Sequence, residues 1–193
     1  MPIFDHFGLM APHYERYIPL RHPERIVSLT ALPVDGALLD AGGGTGRVAH
    51  ALAGLASPLI ISDISMGMLR QAQQKNGLIA VCTLTEQLPY PSATFERVIM
   101  IDALHHVINQ SSSAQELWRV VKPGGRIVIE EPDIRILAVK VVALAEKLAL
   151  MRSHFISPPR IAGMFNYPLA KVQIELDGFN AWIIIDKMIE PDP

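Results

Sequence analysis

Asp40 stands at the end of the short apolar run Ala37 to Leu39, and Gly42, Gly43, Gly44 and Gly46 follow it. A second acid, Asp63, ends the next apolar run around Ile60 and Ile61. Glycines in such a turn permit positive φ and let a ligand approach the backbone closely. Val48 to Leu55 then resumes as an Ala/Leu-rich helix pattern, and a helix N-terminus offers free N–H groups and a partial positive charge. A carboxylate about 20 residues beyond such glycines accepts hydrogen bonds from two ribose hydroxyls. The chemistry predicted is the holding of a nucleoside-type ligand across the carboxyl edge of a parallel sheet. Asp40 either caps the glycine turn or contacts the ligand.

A second group of residues could act on whatever that ligand meets. His105 and His106 follow the fourth strand candidate, at the edge of the predicted cleft, and are candidate bases. Glu130 and Glu131 end the fifth, where strand alternation turns only one of them to the cleft, and Glu131 is the candidate behind the histidines. His154 follows a long helix pattern and either meets substrate or interacts with that helix end. Tyr14 and Tyr17 lie in an N-terminal extension that either closes over the ligand or packs on the sheet. His50, within a helix pattern, and Cys82, near the end of an apolar strand, are expected to be buried and outside the chemistry. No metal is expected: there is no H-x-x-x-H pair, and adjacent histidines are poor geometry for one ion unless a loop turns them.

The elements that must position these residues alternate. Strand candidates fall near 36–41, 58–63, 78–83, 95–101 and 125–131, with helix candidates near 45–55, 65–75 and 112–121 between them. Ser65 and the run Ser111 to Ser113 are N-cap signals, and Asn76-Gly77 is a C-cap signal. This alternation implies right-handed crossovers and a parallel sheet. A long helix at about 135–152 follows, then two strand-like runs, Lys171 to Leu176 and Ala181 to Lys187, joined by Asp177-Gly178-Phe179-Asn180 as a hairpin. Residues 1–33 read as a helical extension broken by Pro12, Pro19 and Pro23. The 193 residues fit a single domain, divided into the extension 1–33, a core 36–131, substrate-side helices 132–168 and a hairpin 169–193.

Composition narrows the partners. Half the residues are hydrophobic, and a net charge of −2 with scattered basic residues gives no footprint for nucleic acid. The most apolar stretch, Ile134 to Met151, carries Arg135, Lys140, Glu146 and Lys147, which argues against a membrane span. The N-terminus shows no secretory signal, and the single cysteine excludes an internal disulfide and suits a cytoplasmic setting. The apolar segment 132–168 favours a small, partly apolar acceptor, or else a homodimer surface.

Five segments in order carry a resemblance. Leu38 to Gly46 contains D-x-G-x-G-x-G; Asp63 to Leu69 resembles D-x-S-x-x-M-L; Glu86 to Pro91 resembles E-x-L-P-F-P; Leu104 to Val107 reads L-H-H-V; and Arg119 to Arg126 resembles R-V-L-K-P-G-G-x. In this series the chain resembles the small-molecule branch of class I S-adenosylmethionine-dependent methyltransferases, the group with ubiquinone- and menaquinone-type C-methyltransferases. The resemblance implies a Rossmann-like three-layer α/β sandwich whose seven-stranded, mostly parallel sheet has the order 3-2-1-4-5-7-6 with one strand antiparallel. It implies S-adenosylmethionine as cofactor, S-adenosylhomocysteine as product, and in-line displacement onto the acceptor. Residues implied at the cofactor are Asp40, Gly42, Gly43, Gly44, Gly46, Asp63, Ile64, Met68, Thr85, Glu86, Asp102 and Ala103, with Tyr14 and His154 on the substrate side. Met68 either faces adenine or packs. The family often has Asp two residues before Glu86; Leu84 stands there, the one feature supporting a non-catalytic sensor or partner subunit. Gly44 to Ala49 also satisfies G-x-G-x-x-A, so a nicotinamide-dependent oxidoreductase is the remaining alternative, although no Y-x-x-x-K accompanies it.

Overall fold

A computed structural model describes residues 5–148 and 153–191. The chain opens with α1 (His6–Met10), a 3₁₀ turn (Ala11–His13), α2 (Tyr14–Tyr17) and α3 (Pro23–Thr30). There follow β1 (Leu38–Ala41), α4 (Arg47–Ala51), β2 (Leu59–Asp63), α5 (Met66–Ala72), β3 (Leu78–Cys82) and β4 (Phe95–Ile101). A 3₁₀ turn (Leu104–His106) leads to α6 (Gln110–Val120), β5 (Val121–Pro132), α7 (Leu137–Leu148), α8 (Pro158–Gly163), β6 (Ala170–Asp177) and β7 (Asn180–Lys187).

The seven strands form one sheet in the order β3-β2-β1-β4-β5-β7-β6. β1 to β5 pair in parallel, and β7 alone is antiparallel to its neighbours. β1, at the centre, is buried at all four positions, as expected for a strand covered on both faces. Leu39, Met100, Ile127 and Ile129 face a core closed by Leu117 of α6 and Ile161 of α8. Leu38, Ile99, Val128 and Ile184 face the opposite side, against Ile26 of α3 and Val48 of α4. Three layers result, and the carboxyl ends of β1, β2, β4 and β5 share one edge. Among the described residues no helix is long and apolar enough to cross a membrane.

Several local expectations differ from the structure. β5 begins at Val121, because the Lys122 to Gly125 turn is a bulge inside the strand: Phe95 pairs with Val121 but Arg97 with Arg126, and Gly124 supplies φ +80°. α6 is capped by Asn109, whose side chain accepts from the Ser112 amide at 3.0 Å, and not by the serine run. Ser65 does cap α5, accepting from the Met68 amide at 3.3 Å. α5 ends at Ala72, and Gly77 (φ +81°) serves the entry to β3 instead of a helix cap. Cys82 is exposed because β3 is an edge strand, and His50 is exposed on the outer side of α4. The hairpin loop closes on paired Asp177 and Asn180, with Gly178 at φ +59°. The expected long helix is described as far as Leu148; residues 149–152 lie outside the described residues, as do residues 1–4 of the extension and 192–193.

Candidate functional site

The glycine turn between β1 and α4 is built so that side chains are excluded from it. Gly42, Gly44 and Gly46 have φ of +73°, +53° and +74°. A Cβ on Gly43 would lie 2.7 Å from both Asp40 Cγ and Ile61 Cγ2, and one on Gly46 would lie 2.6 Å from Ile61 Cδ1. At Gly44 the nearest atoms are Met68 Cε at 3.8 Å and Asp63 Oδ2 at 3.9 Å, so Asp63 and buried Met68 border the turn. Asp63 Oδ2 accepts from the Gly44 amide at 2.9 Å, and Oδ1 accepts from the Ser65 amide at 2.7 Å. Burial pushes its carboxyl above the ordinary range despite these bonds. Asp40 is 1% exposed, and neither of its oxygens has a hydrogen-bond partner. Burial pushes it up to about 7, with the Arg47 guanidinium and then the nearby Ala49 amide, too poorly placed for a full hydrogen bond, acting in the opposite direction.

A second cluster sits at the ends of β4 and β5. Asp102 adopts φ +55°, a left-handed conformation that costs a non-glycine residue energy and collects at functional sites. Its amide donates to Glu130 O at 2.9 Å. Buried Glu131 fixes the following turn: Oε1 accepts from the amides of Ala103 (3.0 Å) and Leu104 (2.7 Å), and Oε2 lies 2.7 Å from His105 Nδ1. Burial lowers the His105 pKa, but the charge and hydrogen bond of Glu131 outweigh it and the net shift is upward. His106 is driven the other way, to about 3, by burial and then by the neighbouring His105. The two rings lie 4.0 Å apart, with Phe155 stacked on His105 at 4.2 Å. Glu130 points to the other face of the sheet, where burial pushes it up to about 7 although Asn180 Nδ2 donates to it at 2.6 Å.

The N-terminal extension lies over both clusters. Ser65 Oγ donates to Asp5 Oδ2 at 2.8 Å, and a Cβ on Gly67 would come within 2.5 Å of Gly8 Cα. Phe7 meets the His106 ring edge-on at 4.7 Å. Thr45 Oγ1 donates to Glu15 Oε1 at 2.6 Å, and Lys75 bonds both Glu15 and the Thr45 carbonyl. Tyr14 has the Arg47 guanidinium 6.0 Å from its ring centroid, and its phenol is raised by burial and then by the charge of Asp102.

Residues 39–129 match a family model described as a methyltransferase domain. Over those residues the chain is similar to the methyltransferase domain family. It is 37% identical over 103 residues to the ubiquinone/menaquinone biosynthesis C-methyltransferase UbiE of Bordetella parapertussis, covering 49% of this chain and 40% of that protein. It is 30% identical over 115 residues to the UbiE of Hydrogenovibrio crunogenus, covering 54% of this chain and 45% of the relative. The matches thus span less than half the length of these curated relatives. Among solved structures, the putative methyltransferase of Haloferax volcanii, in complex with the Trm112 methyltransferase activator, shares the fold at TM-score 0.79 and 15% identity, over 97% of this chain and 100% of that one. A putative S-adenosyl-L-methionine-dependent methyltransferase of Methanococcus maripaludis follows at TM-score 0.73 and 16% identity, over 99% and 98%.

The glycine turn, Asp40, Asp63 and Met68 come together at the sheet edge, with Ile64 47% exposed beside them. Asp102, Ala103, His105, His106 and Glu131 gather beside them, where a Cβ on Gly42 would come within 2.7 Å of Ala103 Cβ. Thr85 and Glu86 instead face α6: the Thr85 hydroxyl bonds Ser113 at 2.8 Å and Glu86 accepts from the Asn109 amide at 3.1 Å. His154 is exposed; its amide donates to His105 O at 2.6 Å, and it lines a groove of about 380 Å³ with Ile108, Gln110, Phe155, Ile156 and Met164. Sequence reasoning missed Arg47, which stands near Asp40, Asp102 and Tyr14, although its place at the start of the helix after the glycines was a signal. It also missed Asp5 and Phe7, which only the folded extension brings to the cleft.

Proposed function

We propose that this chain transfers a methyl group from S-adenosylmethionine to a small, partly apolar acceptor. The observation that carries the reading is the buried, unpartnered Asp40 beneath a glycine turn that Asp63 borders. A carboxylate with no protein partner fits a cationic group above the turn, which the α-ammonium of an amino acid moiety supplies, and Asp63 has lone pairs left for ribose hydroxyls. Gly42, Gly43, Gly44 and Gly46 leave the space for the ligand backbone. Ile64 and Met68 would flank the adenine, Asp102 and Ala103 close the site, and Thr85 and Glu86 set the loop beside it by holding α6.

When bound there, the cofactor supplies a methyl group already activated by a sulfonium. The protein's work is positioning and exclusion of water, which together lower a barrier by several kcal/mol. The extension, from Asp5 to Tyr17, covers the cleft. His105, held by Glu131, exchanges the acceptor's proton; His106, neutral at physiological pH, accepts a hydrogen bond and orients the acceptor. Tyr14 and His154 stand at the acceptor side, His154 in the groove lined by Phe155 and Ile156. Transfer from a sulfonium does not itself require a metal. The exposed apolar residues of α7, among them Leu137, Val141, Leu144 and Leu148, support a homodimer, and the lone cysteine a cytoplasmic setting. The chain would work as one domain, with 1–33 as its lid and 132–168 as its acceptor side.

A second reading, a cofactor-binding protein without turnover, is favoured by Leu84, whose side chain offers no hydrogen bond to adenine and is 41% exposed. Incubation with S-adenosylmethionine and a panel of small phenols, quinols and amines, followed by S-adenosylhomocysteine release, separates the two. Release that depends on one acceptor and is lost in Glu131→Gln supports transfer. Cofactor binding without release for any acceptor supports the second reading.

A further inference from the structure

His105 and His106 are adjacent, and adjacency alone made them poor ligands for one ion. The 3₁₀ turn Leu104–His106 and α7 change that, because they bring Glu146 to the pair. One ligand atom from each of His105, His106 and Glu146 lies within 4.8 Å of the others. Both histidines have Nδ1 occupied from outside the cluster. His105 Nδ1 is 2.7 Å from Glu131 Oε2, and His106 Nδ1 is 3.3 Å from Ser153 Oγ. Each ring is therefore oriented by an outer partner and keeps Nε2 for another bond. A carboxylate or hydroxyl on the far nitrogen is the usual support of a metal-bound imidazole, fixing its tautomer and direction. Glu146 adds an independent sign: its Oε2 is buried and has no hydrogen-bond partner. A buried carboxylate oxygen left without a partner is costly unless a cation or donor meets it.

We propose that His105, His106 and Glu146 form a binding site for a divalent transition-metal ion of the zinc class, at the acceptor end of the cleft. Two imidazoles and one carboxylate suit zinc, cobalt or iron(II) and leave a coordination position open. Ligand atoms around a tetrahedral ion with bonds of about 2.0–2.1 Å stand about 3.4 Å apart. From the present spacing, within 4.8 Å, the ligand atoms would close by up to about 1.4 Å around such an ion. The site is independent of the methyl-transfer reading. If that reading holds, the open position takes an ionised oxygen or sulfur of the acceptor, and the ion takes over the activating role from the imidazoles.

The test uses untagged full-length protein stripped with a chelator and titrated with zinc chloride by calorimetry and with cobalt chloride by visible absorption. The expected result is one zinc per chain, cobalt bands of low-coordinate type, and at least a tenfold loss of zinc affinity in both His106→Ala and Glu146→Gln. No zinc binding by the wild-type protein, or affinity unchanged in both variants, overturns the proposal and leaves the cluster an ion pair between His105 and Glu131. Circular dichroism of each variant establishes that it is folded, and the wild-type cobalt spectrum decides the matter if a variant is not. A parallel titration of the metal-free protein with S-adenosylhomocysteine reports on the cofactor reading separately, so the failure of one is not the failure of the other.

Discussion

Asp63 has each oxygen against a backbone amide, whereas Asp40 has neither oxygen satisfied. The difference separates two predictions. Asp63→Ala removes the proposed acceptor for the ribose and frees the amides of Gly44 and Ser65, so calorimetry should show S-adenosylhomocysteine binding weakened about tenfold or more. Asp40 acts through stability as well. Its folded pKa is raised from the ordinary carboxylate value to about 7 by burial, so the folded state prefers the protonated form. That contribution is complete below the unfolded pKa and is lost as pH rises through about 7. Each pKa unit is worth about 1.4 kcal/mol, so with the shift from 3.8 to about 7 the ionised carboxylate should cost the ligand-free fold on the order of 4 kcal/mol at pH 8. Thermal melts of the ligand-free protein from pH 5 to 8 should fall for the wild type and stay flatter for Asp40→Asn; parallel curves would contradict the account. Both acids were legible in the sequence because each ends an apolar run at a fixed distance from the glycines. Glu146 was not, because only the packing of α7 against the turn after β4 gives it neighbours.

At the scale of elements, the extension and α5 meet where no side chain fits. Gly67 → Val would place a branched side chain against Gly8 Cα, which a Cβ alone would approach to 2.5 Å. The bonds of Asp5 to Ser65 and of Glu15 to Thr45 should then fail together. Limited proteolysis should cut between residues 7 and 17 about ten times faster, equivalent to about 1.4 kcal/mol of local opening, with the main melting transition little changed. Equal cleavage rates would mean that the extension is held mainly elsewhere. The helix signals in the sequence located α4, α5 and α6 but misplaced their ends. Asn109 outcompetes the serines as a cap because it stands two residues ahead of their run, with its side-chain oxygen on the Ser112 amide. The edge position of Cys82 is a property of sheet order, and an apolar run carries no mark of which strand will lie outermost.

For the whole molecule, the parallel sheet and the terminal hairpin were legible in strand–helix alternation and one short loop, whereas the strand order and the antiparallel strand came from the resemblance of the five motifs, and the structure has that order. The two cores are joined through β1, β4 and β5, so a cavity in one should unfold the domain as a unit. Leu117→Ala, at a fully buried position of α6, should cost about 2–5 kcal/mol in denaturant titration with the slope unchanged. Such a fold offers one edge where the carboxyl ends of β1, β2, β4 and β5 meet, and the central claim is that this edge holds S-adenosylmethionine. Calorimetric titration of the purified protein with S-adenosylmethionine, S-adenosylhomocysteine and NADH in parallel tests it most directly. The account predicts saturable binding of both sulfur ligands and none of NADH. Binding of NADH alone, or of none of the three, would contradict it.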